Sequence, residues 1–194
     1  AIHGLTLTYS GGKNMDIADK EGTWFAVFGQ GHVLGIPVPV IIFGVLAAIL
    51  AVLLARTAFG RRVYAVGGNG VAATFSGIPR ARVVFLSYVI SSFCVAMAGL
   101  LQASRSMGSQ NTVGQGLELD VLAAVILGGA SLLGGSGTIF KTVIGVLILG
   151  FIQNGLLLVG LQFYVQYVVT WVIIILAVWL DVAAKRGRLW SPIA

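Results

Sequence analysis

Long runs of apolar residues, separated by short polar connections, dominate the chain. Four of them, at 36–55, 83–104, 142–161 and 163–182, match the ~20 helical residues needed to cross ~30 Å of hydrocarbon. A fifth run at 119–135 is shorter and interrupted by glycine pairs, which predicts either a full span or a re-entrant segment. We therefore expect an all-α, polytopic transmembrane bundle of about five spans, one of them short and glycine-interrupted.

Composition and charge agree with this pattern. The chain is 58% hydrophobic and 9% charged, whereas soluble domains carry about 25% charged residues. If five spans alternate, nine of the twelve cationic residues share one side, namely Arg56, Arg61, Arg62, Arg80, Arg82, Lys141, Lys185, Arg186 and Arg188. The positive-inside rule makes that side cytoplasmic. Residues 1–35 are then extracytoplasmic, 56–82 form a cytoplasmic loop, the C-terminus is cytoplasmic, and the basic charge does not indicate nucleic-acid binding.

Two glycine-rich stretches resemble nucleotide-binding motifs. Residues 68–73 spell G-x-G-x-x-A, but a dinucleotide site also needs a surrounding βαβ unit and an acidic residue ~20 positions later. The next acid is Glu118, beyond a predicted span. Residues 135–142 resemble a phosphate-binding loop, yet Phe140 stands where the second glycine belongs. We expect this chain to bind no nucleotide, so that any ATP is bound by a partner.

The first of these stretches is typical of a short capped helix. Asn69 is a favourable N-cap, Gly77 suits the left-handed position after the last turn, and Pro79 prevents continuation. A helix this short is marginal alone in water and needs a surface to pack on. Its apolar edge consists of Val71, Phe75 and Ile78. It predicts either an amphipathic helix resting on the bilayer or on this protein, or a helix that docks on a cytoplasmic partner.

A family resemblance covers essentially the whole chain. The run GRRVYAVGGNGVAATFSGIPRARV (60–83) and the stretch 98–160, with its ELD, AAV, LGG and GF-x-x-NGL segments, resemble the ribose-type permeases. These are the membrane subunits of ATP-binding-cassette importers for monosaccharides. Members are usually longer, so we expect 1–194 to be the C-terminal part of one permease domain. Gly70 departs from the family pattern, because an acidic residue often occupies this position.

The resemblance implies a set of partners and a docking surface. The short helix in loop 56–82 corresponds to the coupling helix that contacts the ATPase subunit, on which ATP and Mg would bind. By that likeness the docking surface comprises Asn69, Ala72, Ala73, Thr74, Phe75, Ser76 and Gly77. The flanking arginines are either positive-inside anchors or salt-bridge partners of the ATPase. A second permease subunit and a periplasmic sugar-binding protein complete the expected assembly in the bacterial inner membrane.

Two further groups of polar residues are candidates for transport. Contacts to the binding protein are expected at Arg105, Gln110, Asn111, Glu118 and Asp120. For the first three, the mouth of the pathway is the alternative. For the two carboxylates the alternative is a structural role in the first turn of a helix, where the dipole favours them. The substrate-pathway candidates are Gln102, Ser131, Gln153 and Asn154. For the last two, hydrogen bonding between helices is the alternative.

The sequence thus predicts a non-catalytic permease subunit of an importer for a monosaccharide such as ribose or galactose. It contains no pattern typical of a metal site or of a nucleophile with its base. A related importer permease for branched-chain amino acids or nucleosides is the first alternative. The second, a channel or secondary transporter without an ATPase, would be expected to carry charged residues within its spans.

Overall fold

A computed structural model describes residues 2–11, 13, 15–16, 24–109, 114, 116–131, 134–160, 165, 168–169, 171–172, 175–176 and 179. These residues are mostly helical and divide into two compact units. Unit 1 comprises Ala1–Ile49 and Val84–Gln115, and unit 2 comprises Leu50–Val83 and Gly116–Ala194.

The elements are, in chain order, α1 (Ile2–Ser10), β1 (Met15–Asp16), α2 (Trp24–Gln30), β2 (His32–Val33), β3 (Ile36–Pro37), α3 (Val38–Arg56), α4 (Ala58–Gly68), α5 (Gly70–Phe75), α6 (Arg80–Ser106), β4 (Gly108–Ser109), α7 (Leu117–Leu127) and α8 (Ile139–Leu158). The strands form two antiparallel pairs, β1 with β4 and β2 with β3. Each strand has only two residues, so helices determine the architecture.

Three helices, α3, α6 and α8, are long and apolar enough to cross a membrane, with 19, 27 and 20 residues. At 1.5 Å per residue their lengths are about 28, 40 and 30 Å, so each can traverse the hydrocarbon core. They correspond to the predicted spans 36–55, 83–104 and 142–161. The predicted span 163–182 lies largely outside the described residues. The described part of the chain therefore contains three candidate spans, where about five were expected for the whole chain.

The glycine-interrupted run 119–135 does not form one continuous helix. Helix α7 has 11 residues and is about 16 Å long, roughly half the thickness of the hydrocarbon core. It ends at Gly128, and Gly129 has a φ of +75°, a left-handed conformation that reverses the chain direction at little cost for glycine. The sequence predicted either a full span or a re-entrant segment here. The structure contains a helix of about half the spanning length.

Helices α7 and α8 form an antiparallel hairpin with closely approaching backbones. A Cβ atom built on Gly145 would lie 2.1 Å from the carbonyl oxygen of Ala124, and one on Gly128 would lie 2.5 Å from that of Lys141. Ala123 and Ala124 pack with Leu149 in a small buried cluster. Small residues thus let the two helices meet backbone to backbone, as membrane helices often do.

In unit 1, α2 packs against the last turn of α6. Ser104 is fully buried, and its hydroxyl donates a hydrogen bond to the carbonyl of Phe25. The side-chain amide of Gln30 donates to the carbonyl of Arg105 at 3.2 Å. A Cβ on Gly29 would lie 2.3 Å from the backbone nitrogen of Arg105, so the two helices touch directly. The segment predicted only as extracytoplasmic therefore includes a helix fixed to the end of α6.

The connection between α3 and α6, predicted as a loop with one short helix, contains two helices. Helix α4 begins after Thr57, whose hydroxyl accepts a hydrogen bond from the backbone N–H of Gly60 at 3.3 Å. It ends at Asn69, whose backbone N–H donates to the carbonyl of Ala65 at 3.1 Å. Asn69 is also the residue before α5. One residue thus joins α4 directly to α5, with no flexible linker between them.

Candidate functional site

The predicted short helix and both of its caps are present. The side-chain oxygen of Asn69 accepts hydrogen bonds from the backbone N–H groups of Val71 and Ala72, at 3.1 and 2.9 Å. After the helix, Gly77 has a φ of +78°. The N–H of Gly77 donates to the carbonyl of Thr74, and the N–H of Ile78 to that of Ala73, both at 3.0 Å. This is the Schellman arrangement, so both ends of α5 are satisfied locally.

Helix α5 presents large apolar side chains outward. Phe75 is 89% exposed and Val71 is 63% exposed in this chain. Ala73, by contrast, is 5% exposed and lies against the protein. The methyl group of Ala73 thus faces inward in this chain, and its place in the docking surface stays a prediction. The other predicted members are exposed, namely Asn69, Ala72, Thr74, Phe75, Ser76 and Gly77.

Gly70, the position at which the chain departs from the family pattern, lies beside Arg80. A Cβ on Gly70 would be 3.3 Å from both Cζ and Nε of the Arg80 side chain. An acidic residue there would meet a guanidinium group and also the positive end of the α5 dipole. The nearest atoms to that Cβ all belong to the flexible Arg80 side chain. A residue larger than glycine would therefore fit at position 70 without clashing with the backbone.

Replacing Asn69 with Ala should destabilise α5 locally, because two N–H groups lose their acceptor. An N-cap is worth about 1 kcal/mol, so amide hydrogen exchange at Val71 and Ala72 should become about fivefold faster. Hydrogen exchange measured by mass spectrometry on the purified permease tests this. Asn69→Ser retains a capping oxygen and should exchange at nearly the native rate. Equal exchange in Asn69→Ala and the native protein would contradict the capping role.

At the end of α6 in unit 1, several polar groups line one cavity of about 520 Å³. Gln102, a predicted pathway residue, and Arg105, a predicted binding-protein contact, both line it. The remaining wall includes His32 and is otherwise largely apolar, from Pro37, Val40 and Leu101. His32 was not among the predicted site residues, because nothing close to it in the sequence indicates that its hairpin folds against α6. The cavity has the size and mixed polarity of a small-molecule site.

The other pathway candidates do not lie together. In unit 2, Ser131 lies in the turn before α8, where its N–H donates to the carbonyl of Ser136 at 3.0 Å. Gln153 and Asn154 lie more than three turns into α8. The amide of Asn154 donates to the carbonyl of Gly150 at 2.9 Å, within the same helix. The described residues therefore give a local partner for Asn154, rather than the partner on another helix that was one expectation.

The remaining candidates for binding-protein contact are divided between described and undescribed residues. Glu118 and Asp120 lie in the first turn of α7, as predicted for carboxylates stabilised by a helix dipole. Gln110 and Asn111 lie outside the described residues. No three His, Cys, Asp or Glu side chains come together as metal ligands would in the part of the chain that the structure describes.

Comparison with known proteins identifies the class. Residues 2–178 match the family model described as the permease component of the branched-chain amino acid transport system. The chain belongs to this permease family and is a multi-pass membrane protein. No solved structure matches the chain.

Individual relatives give a finer comparison. The chain is 47% identical over 181 residues to the ribose import permease of Bacillus subtilis, covering 93% of this chain and 56% of that protein. It is 41% identical over 161 residues to the xylose transport permease of Haemophilus influenzae, covering 83% and 43%. It is 37% identical over 187 residues to the L-arabinose transport permease of Escherichia coli, covering 96% and 56%. The chain thus spans about half the length of these relatives, and its resemblance to ribose-type permeases is confirmed.

Proposed function

We propose that this chain is part of the membrane-spanning subunit of an ATP-binding-cassette importer that moves a monosaccharide into the cell. Support comes from the relatives, which are named for ribose, xylose and L-arabinose. The family description names branched-chain amino acids, but no specific feature of this chain favours that substrate over a sugar. The chain itself is non-catalytic in this proposal, and ATP with Mg binds to a separate ATPase subunit.

The observation that carries this proposal is the exposed apolar edge of α5. A phenyl ring that is 89% exposed, on a six-residue helix capped at both ends, is a rigid projection suited to a groove on another protein. Large aromatic side chains contribute most of the free energy at many protein interfaces. In the proposed importer, α5 is the coupling helix and the ATPase supplies the groove.

Charge distribution supports a cytoplasmic location for α5. Arg56, Arg61 and Arg62 lie at the end of α3 and within α4, and Arg80 and Arg82 lie in the first turn of α6. The hydroxyl of Tyr64 donates to the carbonyl of Gly137 at 2.5 Å, which brings the start of α8, with Lys141, to the same end of unit 2. A common location for these cations is what the positive-inside rule requires.

In unit 1, the cavity beside Gln102 and Arg105 is the proposed outer mouth of the pathway. Its neutral amide and apolar wall favour weak, reversible binding of an uncharged sugar. A periplasmic binding protein would deliver the sugar there, with Arg105 as one of its contacts, and a second permease subunit would complete the pathway. The C-terminus is cytoplasmic in this arrangement.

The proposed function is tested by uptake into proteoliposomes that contain the whole importer, with its ATPase and binding protein. Labelled D-ribose, D-xylose, L-arabinose and L-leucine are supplied separately, with and without internal ATP. We expect ATP-dependent uptake of a monosaccharide and none of leucine. Uptake of leucine alone would favour the amino-acid importer, and uptake without the ATPase would indicate a channel or secondary transporter.

A further inference from the structure

The two glycine motifs that imitate nucleotide-binding sequences contact each other. A Cβ built on Gly67 would lie 2.7 Å from the backbone nitrogen of Gly135. One built on Gly134 would lie 2.7 Å from the carbonyl oxygen of Gly67, and one on Gly135 would lie 2.7 Å from the Cα of Gly68. The end of α4 and residues 134–137, here called the glycine turn, therefore touch through their backbones, with no space for a side chain at Gly67, Gly134 or Gly135.

A hydrogen bond from Tyr64, one helical turn before Gly67 and Gly68 in α4, joins the same two segments. Tyr64 is half-buried, and its hydroxyl donates to the carbonyl of Gly137 at 2.5 Å. Gly134 and Gly135 both have left-handed backbones, with φ of +90° and +77°, which residues with a side chain rarely adopt. Backbone shape and a specific side chain thus hold the two segments in one register.

Capped helices adjoin this contact on both sides. On one side, Asn69 ends α4 and caps α5, so α4 and α5 share a residue. On the other, Thr138 directly follows the glycine turn and caps α8, with its hydroxyl accepting from the N–H of Lys141 at 3.3 Å. Helix α8 in turn meets α7 backbone to backbone at Gly145. A displacement of α5 would therefore reach the hairpin through α4, the glycine turn and the start of α8.

We propose that the backbone contact between α4 and the glycine turn is the joint that transmits movement of α5 to the α7–α8 hairpin. The proposal rests on the proposed function, in which α5 is driven by the ATPase. A cavity of about 260 Å³ beside the joint, lined by Leu54, Tyr64 and Ile139, leaves room for the two segments to shift together. The coupling energy between ATPase and pathway is then carried by a contact that tolerates no Cβ atom.

Gly135→Ala tests the joint, and Gly129→Ala is its matched control. Both glycines have left-handed backbones with nearly the same φ, +77° and +75°, so alanine would be strained to a similar degree at either position. Only at Gly135 would the new methyl group meet another segment, because nothing lies within 4 Å of a Cβ on Gly129. We expect Gly135→Ala to lower ATP-driven D-ribose uptake by at least about tenfold, and Gly129→Ala to change it by less than about twofold.

The readout that separates a joint from a merely structural contact is the amount of ribose transported per ATP hydrolysed. In Gly135→Ala the ATPase should still co-purify with the permease and hydrolyse ATP, while this ratio falls. Tyr64→Phe, which removes only the hydroxyl, should lower the ratio by about fivefold, and the double variant should not be additive. If Gly135→Ala does not accumulate in the membrane, Tyr64→Phe alone decides the outcome.

The joint is overturned if the ratio is unchanged in these variants, or if Gly135→Ala loses the ATPase along with uptake. In the second case the contact would only hold α5 in place for docking. If the unaltered permease retains no ATPase and transports no sugar, the proposed function fails, and the joint fails with it. The control and the unaltered protein thus distinguish these failures.

Discussion

Gly145→Ala should separate α7 from α8 and lower the stability of the permease. The added Cβ would lie 2.1 Å from the carbonyl oxygen of Ala124 and 2.8 Å from the backbone nitrogen of Gly128, both backbone atoms that cannot rotate away. Overpacking of this kind costs about 3 kcal/mol, so we expect the melting temperature of the detergent-purified permease to fall by about 5–10 °C. Thermal unfolding followed by circular dichroism measures the change.

Gly155→Ala is the matched control for this prediction, because Gly155 lies in the same helix with nothing within 4 Å of its Cβ position. Alanine is favoured over glycine inside a helix by ~1 kcal/mol, so this variant should melt at the native temperature or slightly above. If both variants melt like the unaltered protein, the backbone contact at Gly145 does not stabilise the hairpin.

Under the proposed function, Phe75→Asp should strongly weaken docking of the ATPase while leaving the permease folded. Phe75 is 89% exposed and makes little contact within this chain, so its loss costs no core packing. In an interface, a buried aromatic anchor contributes at least ~2 kcal/mol, and an unpaired carboxylate in the same groove adds a desolvation cost. In the proposed importer, we expect the amount of co-purified ATPase and the rate of monosaccharide uptake to fall at least about 30-fold.

Phe75→Leu provides the control for the docking prediction, because it retains an apolar side chain at the same position. It should keep most of the co-purified ATPase and most of the uptake. Equal membrane levels of the three proteins exclude a folding defect as the cause. Unchanged uptake and ATPase stimulation in Phe75→Asp would contradict the docking role of α5. A loss of uptake in a variant that still retains the ATPase would contradict it as well.

Local signals made α5 predictable. Its N-cap, its left-handed glycine and the proline that ends it lie within eleven residues, and each acts on neighbours along the chain. The burial of Ala73 was not predictable in the same way, because burial depends on what the rest of the chain places against that face. The same limit explains His32, which becomes part of a cavity only because its hairpin lies beside α6.

Helix α4 and the half-length α7 show the limits of pattern reading for short elements. The α4 sequence mixes arginines with three glycines, which weaken both the apolar periodicity and the helix propensity. For 119–135, hydropathy alone predicted an apolar run of nearly spanning length. In the structure, the helix in this run is followed by its cap residue Gly128 and goes no further. The backbone of Gly128 lies against Lys141 and Thr142 of α8, and the left-handed Gly129 follows it, neither of which hydropathy reports.

By itself, the sequence determined the membrane class, a capped short helix and, among about five predicted spans, the three that the described residues contain, because hydropathy and capping depend on residues close together along the chain. It also determined the family, through motifs spread over its length. Only the tertiary structure decided what the two glycine motifs do. Tyr64 and Gly137 are 73 residues apart, and the contact between their segments depends on backbone shape in both at once. Glycines that imitate a nucleotide site in sequence thus serve, in three dimensions, to let two backbones touch.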